Sequence, residues 1–254
     1  MTIKERLLNG EKLLGSFITI RSLEVAEMMC RAGFDYIVID AEHCAYDWSD
    51  IDLLIRVIKG SGVYPIVRIM SITRQYVLRV LDMGADGIMA PRVDTVDDAK
   101  ALVQFAKYPP MGDRGSAGVV RAAQYGRIPL REAIETANKN TLLIVQAETP
   151  GAVDSAGDIA AVDGIDMLFV GPNDLSVSMG YPGQMGAPAV QAKIESALLA
   201  AQARNKLCGI YAVSPDDVAK WTGKGVQFVI TGVAGLIRTG IEKNQAELRA
   251  AVKV

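Results

Sequence analysis

Short apolar runs rich in Val and Ile recur along the chain, and eight of them have the length of a buried strand. They cover residues 14–20, 36–40, 65–69, 87–90, 141–146, 167–171, 207–211 and 227–231. Most of the segments between them carry helical spacing. In 23–31, Val25, Met28 and Met29 fall on one face, and in 49–59 Ile51, Leu54, Ile55 and Ile58 do the same. The segments 189–204 and 236–252 are long and Ala-rich. Continuously apolar strands that alternate with helices imply a parallel sheet shielded by helices. Eight such strands close into a (β/α)8 barrel. A doubly wound open sheet would bring a Gly-rich phosphate loop after its first strand, whereas here Thr19-Ile20-Arg21-Ser22 follows. No shift in composition marks a second domain, so residues 1–254 read as one barrel. The longest apparent loop, 108–129, holds Pro109-Pro110-Met111-Gly112 and Arg114-Gly115, and an insertion of that length is often functional.

Composition narrows the class. Half of the 254 residues are hydrophobic and 22% are charged, enough apolar matter for a large core. With 27 basic and 29 acidic residues the net charge is -2, which argues against a nucleic-acid surface. Cys30, Cys44 and Cys208 are odd in number and scattered, as free thiols in a reducing compartment would be. The N-terminus has no apolar signal region, and no apolar run reaches membrane-spanning length. The expectation is a soluble cytoplasmic protein with no membrane partner.

Barrel enzymes place their chemistry where strands end. The second exit carries Asp40, Glu42 and His43, the third Arg68, and the fourth Pro91 and Arg92. The fifth carries Gln146 and Glu148, the sixth Gly171-Pro172-Asn173-Asp174, and the last two Tyr211 and Thr231. Glu148 and Asp174 together suit one octahedral Mg²⁺ or Mn²⁺ that keeps positions open for substrate; each could instead cap the helix that follows it. His43, the one histidine, is either a structural residue or a proton carrier near neutral pH. Arg68 can stabilise an enolate or carboxylate, pair with Asp40 or Glu42, or do both. Asp82 reads as an exposed acid at a helix end. No lysine stands at a strand exit, which favours a metal over an imine.

Taken in order, Asp40-Ala41-Glu42-His43, Arg68, Asp82-Met83-Gly84-Ala85-Asp86-Gly87, Tyr108-Pro109-Pro110, Gln146-Ala147-Glu148-Thr149 and Gly171-Pro172-Asn173-Asp174 resemble the class II pyruvate aldolases of the HpcH/HpaI aldolase and citrate lyase family. The resemblance spans nearly the whole chain. It implies a TIM barrel of the phosphoenolpyruvate/pyruvate type, in a hexamer (a trimer of dimers) whose last helix exchanges between subunits. It implies Glu148 and Asp174 as ligands of Mg²⁺, Mn²⁺ or Co²⁺ with no organic cofactor, and Gln146, Asn173 and Asp174 beside a 2-oxo acid. His43 would be the base, Arg68 would stabilise the transition state, and Asp82 would form a dyad with His43, within or across subunits. The implied reaction is reversible cleavage of a 4-hydroxy-2-oxo acid to pyruvate and an aldehyde. Cys44, Asn173 and the Gly186-Ala187-Pro188 loop depart from the family pattern on the aldehyde side. The alternatives are an acyl-CoA thioester lyase, for which Arg114, Arg121 and Arg127 are the basic candidates, and a non-catalytic 2-oxo-acid-binding barrel.

Overall fold

The computed structural model describes residues 1–252. Eight parallel strands form a closed barrel in sequence order: β1 (Leu13–Ile18), β2 (Tyr36–Asp40), β3 (Tyr64–Arg68), β4 (Gly87–Ala90), β5 (Leu142–Ala147), β6 (Met167–Val170), β7 (Leu207–Tyr211) and β8 (Phe228–Gly232). α1 (Ile3–Leu8) precedes them. α2 (Leu23–Arg31), α3 (Trp48–Gly60), α4 (Arg74–Asp82) and α5 (Val96–Ala106) follow the first four strands in turn. α6 (Leu130–Asn140) precedes β5, and α7 (Pro150–Asp154) and α8 (Ala156–Ala160) follow it. α9 (Pro172–Ser178) and α10 (Pro188–Gln202) follow β6, α11 (Pro215–Gly223) follows β7, and α12 (Val233–Ala251) follows β8. No helix among the described residues is long and apolar enough to cross a membrane.

The strands have two buried faces, and side chains alternate between them. Ile37, Ile39, Val67, Ile88, Leu143, Val145 and Leu168 point outward and pack under the helices. Tyr36, Val38, Ile66, Met89, Leu142, Ile144, Met167, Phe169 and Phe228 point inward and fill the barrel. Ile3 and Leu7 of α1 join this inner cluster, so α1 closes the end where the strands begin. The filling is a close fit. The Tyr36 ring stacks on Phe228 with centroids 3.9 Å apart, and its hydroxyl donates to the Val229 carbonyl at 2.6 Å. Gly15 makes room for it, since a Cβ there would lie 2.2 Å from the ring. The barrel is therefore a plugged core with one open end.

The strand expectations agree to within two residues at each end. One other expectation changes. In α2 the buried residues are Ala26, Met29 and Cys30, while Met28 is exposed, so the apolar face is rotated from the one inferred. The long segment 107–129 leaves the end of α5, so it joins a helix to the α6–β5 unit and starts at the closed end of the barrel. The loop therefore starts away from the mouth.

Candidate active site

The inward rows explain the site. Following period two upward, Tyr36 and Val38 lead to Asp40, Ile66 leads to Arg68, and Leu142 and Ile144 lead to Gln146 and Glu148. Met167 and Phe169 lead to Gly171. Below the mouth these positions are apolar, and at the mouth they turn polar. There they line a cavity of about 610 Å³ with His43, Asn173 and Asp174. The structure thus gathers six predicted residues, His43, Arg68, Gln146, Glu148, Asn173 and Asp174, into one cavity.

Arg68 is the best-fixed of them. It stands in register with Asp40 and donates twice to that carboxylate, at 3.0 and 2.8 Å. Glu42 lies 3.4 Å away, so Arg68 faces both acids. Its guanidinium also sits over the Phe17 ring at 4.4 Å. Burial opposes its charge, but Asp40, Glu42 and Glu148 outweigh burial and raise its pKa. Arg68 is a permanent cation aimed into the mouth. Asp40 further accepts the backbone N–H groups of Glu42 and His43, at 3.2 and 3.3 Å, and so shapes the turn that presents His43. His43 is 60% exposed at the rim, with Nε2 3.6 Å from Glu42.

Glu148 is held from three sides. Gln146 donates its Nε2 to one carboxylate oxygen at 2.9 Å, and the Arg92 backbone N–H donates to the other at 3.1 Å. Gly171 lies beneath, where a Cβ would come within 2.8 Å of the carboxylate. The capping alternative is excluded because Thr149 caps α7. Burial, then the charges of Asp174 and Glu42, push the Glu148 carboxyl up to about 7. Glu42 is raised as well, by burial first and by Asp40 and Asp174 among the neighbouring charges.

A cation fits this donor set. Glu148, Asp174 and the Gln146 amide offer only oxygens, the preference of Mg²⁺ and Mn²⁺. The buried Oε1 of Gln146 has no hydrogen-bond partner. Among the described residues no group of three or more His, Cys, Asp or Glu side chains forms a closed cage. Two carboxylates that leave positions for water and substrate match a hard catalytic ion better than a structural one.

Asp82 is not in the cavity. It is the last residue of α4, near the start of β4, and it pairs with Arg114 at 2.7 Å. His43 and Asp82 therefore lie at opposite ends of one barrel. Arg114 is buried there and Arg121 packs against Gly84 at the same end, so two of the three basic residues named for a CoA thioester stand away from the mouth. Cys44 donates its thiol to the Thr19 carbonyl at 3.4 Å. Sequence reasoning missed Phe17, Thr19, Met185, Val213, Gly232, and Ala234 and Gly235 of the first turn of α12, all of which line the cavity. For Phe17, Thr19, Val213 and Gly232 the signal was present: each continues an inward row.

Relatives agree with this architecture. The model of the HpcH/HpaI aldolase/citrate lyase family matches residues 13–238. A 2-keto-3-deoxy-L-rhamnonate aldolase of Escherichia coli O1:K1 is 36% identical over 231 residues, which cover 91% of this chain and 86% of the relative. The crystal structure of an HpcH/HpaI aldolase/citrate lyase family protein from Burkholderia cenocepacia J2315 superposes with a TM-score of 0.92 at 32% identity, covering 97% of this chain and 98% of that one. The citrate synthase SbnG does so with a TM-score of 0.91 at 31% identity, covering 98% of both chains. The chain is an enzyme of the carbon–carbon lyase class and belongs to the HpcH/HpaI aldolase/citrate lyase family.

Proposed function

We propose that the protein is a metal-dependent class II aldolase that reversibly cleaves a 4-hydroxy-2-oxo acid to pyruvate and an aldehyde. The supporting observation is the carboxylate pair Glu148 and Asp174 in one cavity with the buried guanidinium of Arg68. Glu148 and Asp174 would hold Mg²⁺, Mn²⁺ or Co²⁺, which when bound polarises the 2-oxo group as a Lewis acid. Gln146, Asn173 and Asp174 orient the 2-oxo acid. His43 takes the proton of the C4 hydroxyl, and the C3–C4 bond breaks as the aldehyde carbonyl forms. Arg68 stabilises the negative charge left on the three-carbon fragment. Protonation at C3 then gives pyruvate.

The test is pyruvate release from 4-hydroxy-2-oxo acids, before and after treatment with a chelator. The name of the Escherichia coli relative makes a keto-deoxy sugar acid the first substrate to try. Turnover should stop on chelation and return with added Mn²⁺; turnover that persists without metal would remove the metal mechanism. His43→Ala should lower kcat by about 100-fold. The side chain is largely exposed, so the melting temperature should stay within a degree or two of wild type. An unchanged kcat would strip His43 of its role as base.

The acting unit we infer is a cytoplasmic homo-oligomer, a hexamer whose α12 exchanges between subunits. Of the 19 residues of α12 only Val233 is buried, while Leu236, Ile241 and Leu248 are exposed. An isolated helix with such a face is unstable in water unless something covers it. A second copy would also supply Asp82 to His43, which one chain keeps apart. Sedimentation velocity should give a single species larger than a dimer, and a monomer would refute the exchange.

A further inference from the structure

We propose that Arg92 is a positioning residue of this site: its left-handed backbone aims the N–H that fixes Glu148 for a divalent cation, and its guanidinium takes no part. The proposal rests on the metal reading above, in which Glu148 is a ligand. It adds a residue from the β4 exit, which that reading leaves without a role.

β4 ends at Ala90, opposite Val145 of β5. An extended chain beyond it would keep period two, and since Met89 points into the barrel, residues 91 and 93 would follow. Val93 does not. It is buried in the outer cluster with Ile88 and Ala90, under the helices. The chain has therefore turned over, and the turn is made at Arg92, whose φ is 49°. The other positive-φ residues apart from glycine, Gln124, Tyr125 and Asn205, do not follow a strand exit. Left-handed backbone crowds the Cβ of an L residue against its carbonyl, so it persists where neighbours over-determine it. Here they do. Pro91 and Val93 on either side are buried. The N–H groups of Arg92 and Val93 both reach β5, the first to Glu148 Oε2 and the second to the Gln146 carbonyl, each at 3.1 Å.

These two bonds tie the β4 exit to both polar residues of the β5 exit. Gln146 donates its side-chain amide to Glu148 Oε1, so each oxygen of Glu148 has one donor. A carboxylate offers about four lone-pair positions, so others remain for a cation. The amide of Gln146 sits on rotatable bonds, whereas the Arg92 N–H is held by the chain on both sides. Partners of this kind are typically worth about 10- to 100-fold in metal affinity. The Arg92 guanidinium is exposed and makes no hydrogen bond or ion pair among the described residues. What the site takes from this position is a backbone shape. Glycine and asparagine adopt it readily, and a β-branched residue does not.

The experiment titrates Mn²⁺ into the metal-free protein by calorimetry, for wild type, Arg92→Gly, Arg92→Asn and Arg92→Val. Melting temperatures are measured on the same proteins in chelator. Arg92→Gly and Arg92→Asn should bind Mn²⁺ within about threefold of wild type, because both keep the left-handed turn. Arg92→Val should bind it about tenfold more weakly. A second measurement needs no substitution at position 92 and decides the matter if Arg92→Val does not fold. Hydrogen exchange in peptides spanning residues 91–93, followed by mass spectrometry without metal, should quicken about fivefold in Glu148→Ala, which removes the acceptor. Wild-type affinity in Arg92→Val, even with a lowered melting temperature, overturns the proposal alone. So does a loss in Arg92→Gly and Arg92→Asn as large as in Arg92→Val, or exchange unaltered in Glu148→Ala. A wild type that binds no Mn²⁺ overturns the metal reading and this proposal with it.

Discussion

Arg68→Ala is expected to lower kcat/KM for cleavage by about 1,000-fold and to destabilise the fold at the same time. The first effect follows from removing a fixed donor aimed at charge that develops in the transition state, where a single donor is typically worth about 100- to 1,000-fold. The second follows from Asp40. That carboxylate is 1% exposed, and in the variant it loses the two hydrogen bonds that justify its burial. Breaking one side of a buried ion pair costs about 3–5 kcal/mol. The two effects are separable. The double variant Arg68→Ala with Asp40→Ala removes the stranded charge, so it should regain part of the stability and none of the activity. Denaturant titration and a pyruvate assay on both variants check this. Full activity in the single variant would show that Arg68 serves the fold only.

Glu148→Gln should weaken Mn²⁺ binding by about 100-fold or more and abolish turnover at ordinary metal concentrations. The pH profile of binding carries the sharper signature. In the metal-free protein, burial and the neighbouring acids place the Glu148 carboxyl at about 7. Below that pH it is protonated and must release its proton before it can ligate. The apparent affinity of wild type should therefore fall about tenfold per pH unit below 7 and level off above it. In Glu148→Gln that slope should be lost along with the affinity. Titration calorimetry at pH 6 and pH 8 measures both. A wild-type affinity that does not change between these values would contradict the raised carboxyl.

The fold was legible because parallel barrel strands are buried on both faces and so read as unbroken apolar runs. The runs at 36–40, 87–90 and 207–211 match β2, β4 and β7 residue for residue. The carboxylates, Arg68 and His43 were legible because strand exits are where a barrel turns polar. Other features need the third dimension. The segment 107–129 stands out in the sequence by its length, prolines and glycines, but only its attachment to α5 reveals at which end it starts. Asp82 has no periodic signature, and its ion pair with Arg114 joins residues 32 positions apart. Tyr211 was noted at its exit and passed over because a phenol does not ionise near neutral pH; its place in the cavity wall follows only from the closed ring.

The fit of Tyr36 over Gly15 has a consequence for how this enzyme can change over evolutionary time. The plug locks the lower part of the barrel, where a single added methyl group at Gly15 would collide with the ring. The residues above it face a cavity and have slack. Mutational tolerance is therefore divided along the strands, low in the plug and at the exits of β2, β3, β5 and β6 that carry the polar residues, and higher at the remaining exits. A lineage can replace residues at the exits of β1, β7 and β8 one at a time and explore new substrates, while the part that keeps the chain folded stays out of reach of that drift.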